Sequence, residues 1–182
     1  MHADDIIALY SRRGSSLYFG EPVTVAEHGL QAAYFARTAG ASDALVLAAL
    51  LHDVGHLIDL APDDIAQWDS DAHHEIIGSR WLSSRFGPKV YEPVRLHVPA
   101  KRYLCATDAN YARVLSAASV QTLKLQGGPM SREEIESFEH EPYHRDAVLL
   151  RRCDDQGKVS GLRTPGFENY RDLIGHLSGG PM

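Results

Sequence analysis

Ten histidines in 182 residues are the first chemical signal, and one of them stands beside an aspartate. His52-Asp53 closes the run Ala44 to Leu51, the longest apolar stretch in the chain. A carboxylate buried beside an imidazole is costly without a partner. A divalent transition metal supplies one, because neutral imidazole nitrogen and carboxylate oxygen are both good ligands. Asp53 also has two oxygens, enough to bridge two ions. The competing role for His52 is to cap a helix C-terminus, where positive charge is favoured. More histidines and an aspartate follow in order along the chain: His28, then His52-Asp53, His74, His97 and Asp154.

Helices must carry these groups, since alternating strand patterns are nearly absent and apolar residues recur at three- and four-residue steps. Thr24 with Glu27 is a capping box that predicts a helix running to Ala39, stopped by Gly40. Ser42 caps a second helix from Asp43 to about Val54. Gly55, Pro62 and Asp63-Asp64 mark a loop region. A third helix is expected from about Ala72 to Phe86, then a shorter one over Lys89–Val98 with Pro93 near its middle or dividing it. A long helix from about Asp108 to Gln126 ends at Gly127-Gly128-Pro129. Ser131 and Glu134 form another capping box, and a further helix precedes the Arg151–Asp154 stretch. The expected architecture is an all-α bundle in one domain spanning 1–182, with its core over about 18–158 and a loop-rich tail over 159–182.

Composition narrows the function. Eighteen Lys and Arg against 24 Asp and Glu give a net charge of −6, which argues against a nucleic-acid surface. Cys105 and Cys153 lie far apart and outside any CxxC pattern, which fits a reduced, cytoplasmic protein. The longest apolar run is too short to cross a bilayer, and Asp4 and Asp5 stand where a leader would carry basic charge. The expected partner is therefore a small molecule, with no nucleic acid and no membrane; oligomeric state is left open.

The His…His-Asp…Asp order resembles the HD-domain superfamily, helical proteins that hold metal in a bundle core. Its simplest members use four ligands, matched here by His28, His52, Asp53 and Asp154. The additional His74 and His97 resemble its binuclear members. By that likeness His28, His52 and Asp154 hold one ion, His74 and His97 the other, and Asp53 bridges. Of the adjacent pair His73 and His74, His74 is preferred because Gly78 follows it by four residues, as in the superfamily's His-x-x-x-Gly pattern. Lys158, four residues after Asp154, likewise favours Asp154 over Asp155. His2, His140, His144 and His176 fit no part of the pattern and read as surface groups.

Three further clusters resemble the mixed-valent diiron oxygenases of this superfamily, in particular the phosphonate-cleaving PhnZ/TmpB group. Tyr18-Phe19-Gly20-Glu21 matches a Tyr-x-x-Glu segment that covers the active site in that group, with Glu21 facing a substrate ammonium and Tyr18 as a lid. His97-Val98-Pro99-Ala100-Lys101-Arg102-Tyr103-Leu104 matches its His-x-x-Ala-Lys-Arg-Tyr-Leu run. Continuous helix would put Lys101 on the face of His97, although Pro99 is expected to break or restart the helix. Ser119, Thr122 and Gln126 share one helix face at i, i+3 and i+7 among apolar residues, and buried hydroxyls need partners: phosphonate oxygens, or their own helix carbonyls. His56, four residues after His52, is expected to face the same site, either to donate to the substrate or to support the ligands structurally.

The resemblance implies two iron ions, Fe(II)/Fe(III), with dioxygen as co-substrate. It also implies oxidative cleavage of the C–P bond in a 1-hydroxy-2-aminoethylphosphonate-type substrate. A primary amine would yield glycine and a trimethylated one glycine betaine, with Tyr18, Phe19, Tyr34 or Trp68 offering aromatic faces to the latter. An HD phosphohydrolase acting on a phosphomonoester or nucleotide, and a non-catalytic sensor of a phosphorylated ligand, are the alternatives.

Overall fold

In the computed structural model the described residues are 2–18, 20–58 and 73–179. Phe19, Pro62, Asp63, Asp64, Trp68 and the expected helix start at Ala72 lie outside them. The described residues form helices and no strand; two isolated bridges, Leu17–Thr24 and Phe86–Ser178, are the extended pairings among them. Eleven α-helices are described: α1 His2–Arg13, α2 Val25–Thr38, α3 Asp43–Leu51, α4 Gly55–Ile58, α5 His74–Ser83, α6 Pro88–Thr107, α7 Ala109–Arg113, α8 Ala117–Leu125, α9 Arg132–Glu139, α10 His144–Gln156 and α11 Arg171–Leu177.

α3 lies at the centre. Its residues Ala44 to Leu51 are all buried, and α2, α6, α10 and α11 pack around it. Ser42 caps it through its side chain, as expected, but the helix ends at Leu51 and His52 becomes its C-cap. The orphan carbonyls of its last turn find partners: Ala49 O meets His52 Nδ1, Leu50 O accepts from Tyr10 Oη, and Leu51 O from the Val54 N–H. Both capping boxes, Thr24/Glu27 on α2 and Ser131/Glu134 on α9, are formed.

Several sequence expectations are corrected, among them the loop at Gly55, which opens α4. The short helix over Lys89–Val98 is the first half of α6, which runs 20 residues straight through Pro93 and Pro99. Each proline costs about 3 kcal/mol in a helix interior, yet Val90, Val94, His97, Val98, Lys101 and Leu104 are buried along this helix, which packs against α3, α5 and α10. That packing outweighs the two lost hydrogen bonds. The long helix expected over 108–126 is instead two, α7 and α8, because Asp108 and Ser116 each act as an N-cap. The tail is not loop-rich throughout: a 3-10 turn at Phe167–Tyr170 leads into α11. Phe167 stacks on Tyr10 at 4.3 Å, and Tyr170 and Ile174 are buried in the main core. The Arg151–Asp154 stretch lies within α10 rather than after a helix. α1 goes beyond the helices read from caps; Asp4 and Asp5 in its first turn and Arg12 and Arg13 in its last complement its dipole.

One close approach sets the position of α5. A Cβ on Gly55 would lie 2.0 Å from His74 O, and one on Gly78 would lie 3.1 Å from Gly55 N. Gly55→Ala must therefore push α4 off α5 at the residue that carries His74. We expect it to lower stability by about 3 kcal/mol, toward the upper end for overpacking, with Gly78→Ala milder. An unchanged urea midpoint for Gly55→Ala would remove this account of the contact.

Candidate metal centre

Six side chains from separate elements meet beside the core: His28 from α2, His52 from the C-cap of α3, Asp53 from the turn after it, His74 from the start of α5, His97 from α6 and Asp154 from α10. None is more than 8% exposed. His73, its neighbour's rival for the inward place, has an 83% exposed side chain and a left-handed backbone, φ 55°.

Backbone carbonyls fix the rings. His28 Nδ1 donates to Gly157 O at 2.9 Å, His52 Nδ1 to Ala49 O at 2.8 Å and His97 Nδ1 to Val94 O at 2.7 Å. A carbonyl only accepts, so each Nδ1 carries the proton and, in the neutral ring, each Nε2 presents a lone pair. His28 Nε2 and His52 Nε2 nevertheless face one another at 3.1 Å, as do His74 Nε2 and His97 Nε2. Lone pairs at that distance repel unless a proton or a metal ion lies between them. Asp53 serves both pairs. Its Oδ2 is 3.6 Å from His28 Nε2 and 3.4 Å from His52 Nε2, while its Oδ1 is 3.4 Å from His74 Nε2 and 3.7 Å from His97 Nε2. Asp154 Oδ1 is 3.3 Å from His28 Nε2, and Arg151 Nη1 holds its other oxygen at 2.7 Å.

The donor chemistry fits metal. Asp53 Oδ2 and Asp154 Oδ1 are buried without a hydrogen bond, a costly state that coordination would relieve. The donors fall into two groups, His28, His52, Asp154 and Asp53, His74, His97, with the ligand atoms of each group within 4.8 Å of one another. Burial works against charge on Asp53, but His52 first, with His74 behind it, holds its pKa well below the carboxylate range. Burial is likewise overcome at Asp154, chiefly by Arg151. At His52 burial opposes a cation and Asp53, followed by Asp154, outweighs it, so the field there favours positive charge. Burial, reinforced by His74 and His52, pushes His97 down to about 3 and keeps it a neutral donor.

A cavity of about 40 Å³, open to the centres of water-sized molecules, adjoins these donors. All seven residues expected to handle substrate line it: Tyr18, Glu21, His56, Lys101, Ser119, Thr122 and Gln126. Because α6 is continuous, Lys101 sits one turn beyond His97, buried to 2% exposure. Its Nζ donates to Thr122 Oγ1 at 2.5 Å and to Gln126 Oε1 at 3.1 Å. Ser119 Oγ accepts from Lys158 Nζ at 2.9 Å. The polar stripe thus finds lysine partners, while Thr122 also bonds back to Ser119 O at 3.3 Å. Its apolar neighbours are not a buried surround: Val114 is 79% and Leu125 61% exposed.

Tyr18 is buried with its ring stacked on His28 at 3.8 Å, and burial, followed by Asp53, keeps its phenol pKa far above the usual value. Glu21 closes a turn through its N–H to Tyr18 O at 2.7 Å, and its Oε1 is buried without a hydrogen bond, 4.0 Å from Lys158 Nζ. His56 stacks on His74 at 4.0 Å. Sequence reasoning gave no role to two cations lining the cavity, Arg151 and Lys158. The spacing of Arg151 to Asp154 and Asp155, i+3 and i+4 on one helix, was the available signal for the first. Arg151 also binds Asp155, which accepts from Tyr111 Oη at 2.5 Å.

The HD-domain family model matches residues 25–150. This chain belongs to the HD-domain family. Two of its relatives are oxygenases by name. It is 46% identical to a hydroxymethylphosphonate dioxygenase of Gimesia maris, over 93% of this chain and 84% of the relative. It is 40% identical to the [1-hydroxy-2-(trimethylamino)ethyl]phosphonate dioxygenase (glycine-betaine-forming) of Leisingera caerulea, over 91% of this chain and 85% of the relative. Among the described residues, no helix of this HD-domain chain is long and apolar enough to cross a membrane.

Proposed function

We propose that this HD-domain protein is a dioxygenase that holds two iron ions and oxidatively cleaves the C–P bond of a 1-hydroxyphosphonate. The observation that carries the reading is Asp53, which turns one carboxylate oxygen to each histidine pair at the wall of a cavity that also contains Lys101. His28, His52 and Asp154 would hold one ion and His74 and His97 the other, with Asp53 shared. Bound there, the iron pair supplies the one-electron exchange with dioxygen that amino-acid side chains lack.

The chain's own residues bind and orient. Lys101 offsets phosphonate charge with a buried ammonium, which acts as a point donor, and Thr122 and Gln126 already fix its direction. Ser119 and His56 complete the polar wall. Tyr18, lying on His28, covers the donors until substrate takes its place. The relatives' names bracket the group on C1, from hydrogen in hydroxymethylphosphonate to a trimethylaminomethyl group. We place the substrate of this chain between them, as the 1-hydroxy-2-aminoethyl compound. The buried Glu21 Oε1 lacks a hydrogen bond, and a primary ammonium would supply it. The products are then phosphate and glycine.

Iron-loaded protein prepared without oxygen, given each of the three hydroxyphosphonates, tests this. One dioxygen consumed per phosphate released is expected, with the aminoethyl compound showing the highest kcat/KM. Phosphate release without oxygen would overturn the reading in favour of a hydrolase, and tight binding without turnover in favour of a sensor.

A further inference from the structure

Lys158 is the second ammonium of the cavity, and its backbone is held with unusual care. α10 ends at Gln156 and the chain turns back against α2. Two side chains one turn apart on α2 grip that turn on either side of Lys158. His28 Nδ1 donates to Gly157 O at 2.9 Å. Gln31 takes Val159 twice: its Nε2 donates to Val159 O at 2.9 Å and its Oε1 accepts from the Val159 N–H at 2.9 Å. Gln31 is 1% exposed. A buried carboxamide is costly unless its polar atoms are satisfied, and here both ends go to the residue next to Lys158. Between the two fixed points the Lys158 ammonium reaches the cavity, where it lies 2.9 Å from Ser119 Oγ, 3.5 Å from Asp155 Oδ1 and 4.0 Å from Glu21 Oε1.

We propose that Lys158 is a second cationic contact for the substrate's anionic group, on the Ser119 side of the cavity, and that Gln31 is its positioning residue. This rests on the cavity being a phosphonate site. Lys101 meets the polar stripe at Thr122 and Gln126 and Lys158 meets it at Ser119, so an anionic group lying along the stripe would have an ammonium at each end. Because Gln31 acts through Lys158, its loss matters only while Lys158 is present.

The test uses iron-loaded wild type, Gln31→Met, Lys158→Met and the double variant. The probe is methylphosphonate, which lacks the C1 hydroxyl, titrated by calorimetry. Each single substitution should weaken methylphosphonate binding about tenfold, the scale of one hydrogen bond to a charged group. The double variant should bind no more weakly than Lys158→Met, and two irons per chain should remain in all four. In turnover, KM rises with kcat little changed. If Gln31→Met does not fold, Gln31→Asn keeps the amide but shortens its reach and gives the same readings. Unchanged affinity in the single variants overturns the proposal, as does a Gln31 effect that persists in the Lys158→Met background. Loss of iron from the Gln31 variant also overturns it, because Gln31 would then act on His28. Methylphosphonate binding through Lys158 in a protein that consumes no oxygen would instead sink the proposed reaction and leave this assignment standing.

Discussion

Asp53→Ala should strip iron from both positions at once, taking the protein from two ions per chain to nearly none. The reason is geometric: Oδ2 serves the His28–His52 side and Oδ1 the His74–His97 side, so one truncation removes an anionic donor from each. Even an outer-shell partner of a metal ligand is worth about 10–100-fold in affinity, so a shared first ligand should cost each ion at least that. Asp154→Ala is the informative contrast. Its free oxygen faces only His28 and His52, within 3.3 and 3.8 Å. It should release the ion on that side and leave the other in place. Elemental analysis with Mössbauer spectroscopy separates the two outcomes. An Asp53→Ala protein that keeps two irons would end the bridging assignment, and with it the case for a paired centre.

Lys101→Ala should leave both irons bound while weakening phosphonate binding about 100-fold. A hydrogen bond to a charged group is worth about 1.5–3 kcal/mol, and a buried ammonium facing a dianion sits at the top of that range. The side chain is 2% exposed, so water does not replace it fully. Thr122 Oγ1 and Gln126 Oε1 lose their common donor in the same variant. Lys101→Arg should rescue poorly, because a planar fork does not fit where a compact ammonium is held between two oxygens. Calorimetric titration of methylphosphonate reads the effect without turnover. Equal affinity in wild type and Lys101→Ala would make Lys101 a structural cation that only anchors α8.

Of the candidate metal donors, His52-Asp53 was legible from its own surroundings, and the other four from the resemblance of their order to the HD pattern. A histidine beside an aspartate at the end of the most apolar run is costly without a cation, whatever the fold around it. Helix starts were legible for a similar reason. Thr24/Glu27, Ser42 and Ser131/Glu134 satisfy backbone N–H groups three residues away, an interaction written within four consecutive positions. Asp108 and Ser116 carried the same signal and divide the expected long helix in two.

What local signals could not show was where long-range packing overrules them. Pro93 and Pro99 read as breaks, yet the buried residues of α6 keep the helix whole and so bring Lys101 beside His97. The tail looked like loop because its glycines and prolines outweighed Phe167, Tyr170 and Ile174, residues whose worth appears only when α1 and the core are there to receive them.

The sequence by itself therefore marked His52-Asp53 and most helix starts, which depend on the cost of burying a charge or on bonding within a few residues; the other four candidate donors rested on the resemblance of their order to the HD pattern. Only the tertiary structure decided that Asp53 divides its oxygens between two histidine pairs, and that Gln31 fixes the turn carrying Lys158. Those arrangements join residues as far apart as 128 positions. Spacing along a chain says nothing of such contacts until burial of the apolar faces has set the helices against one another.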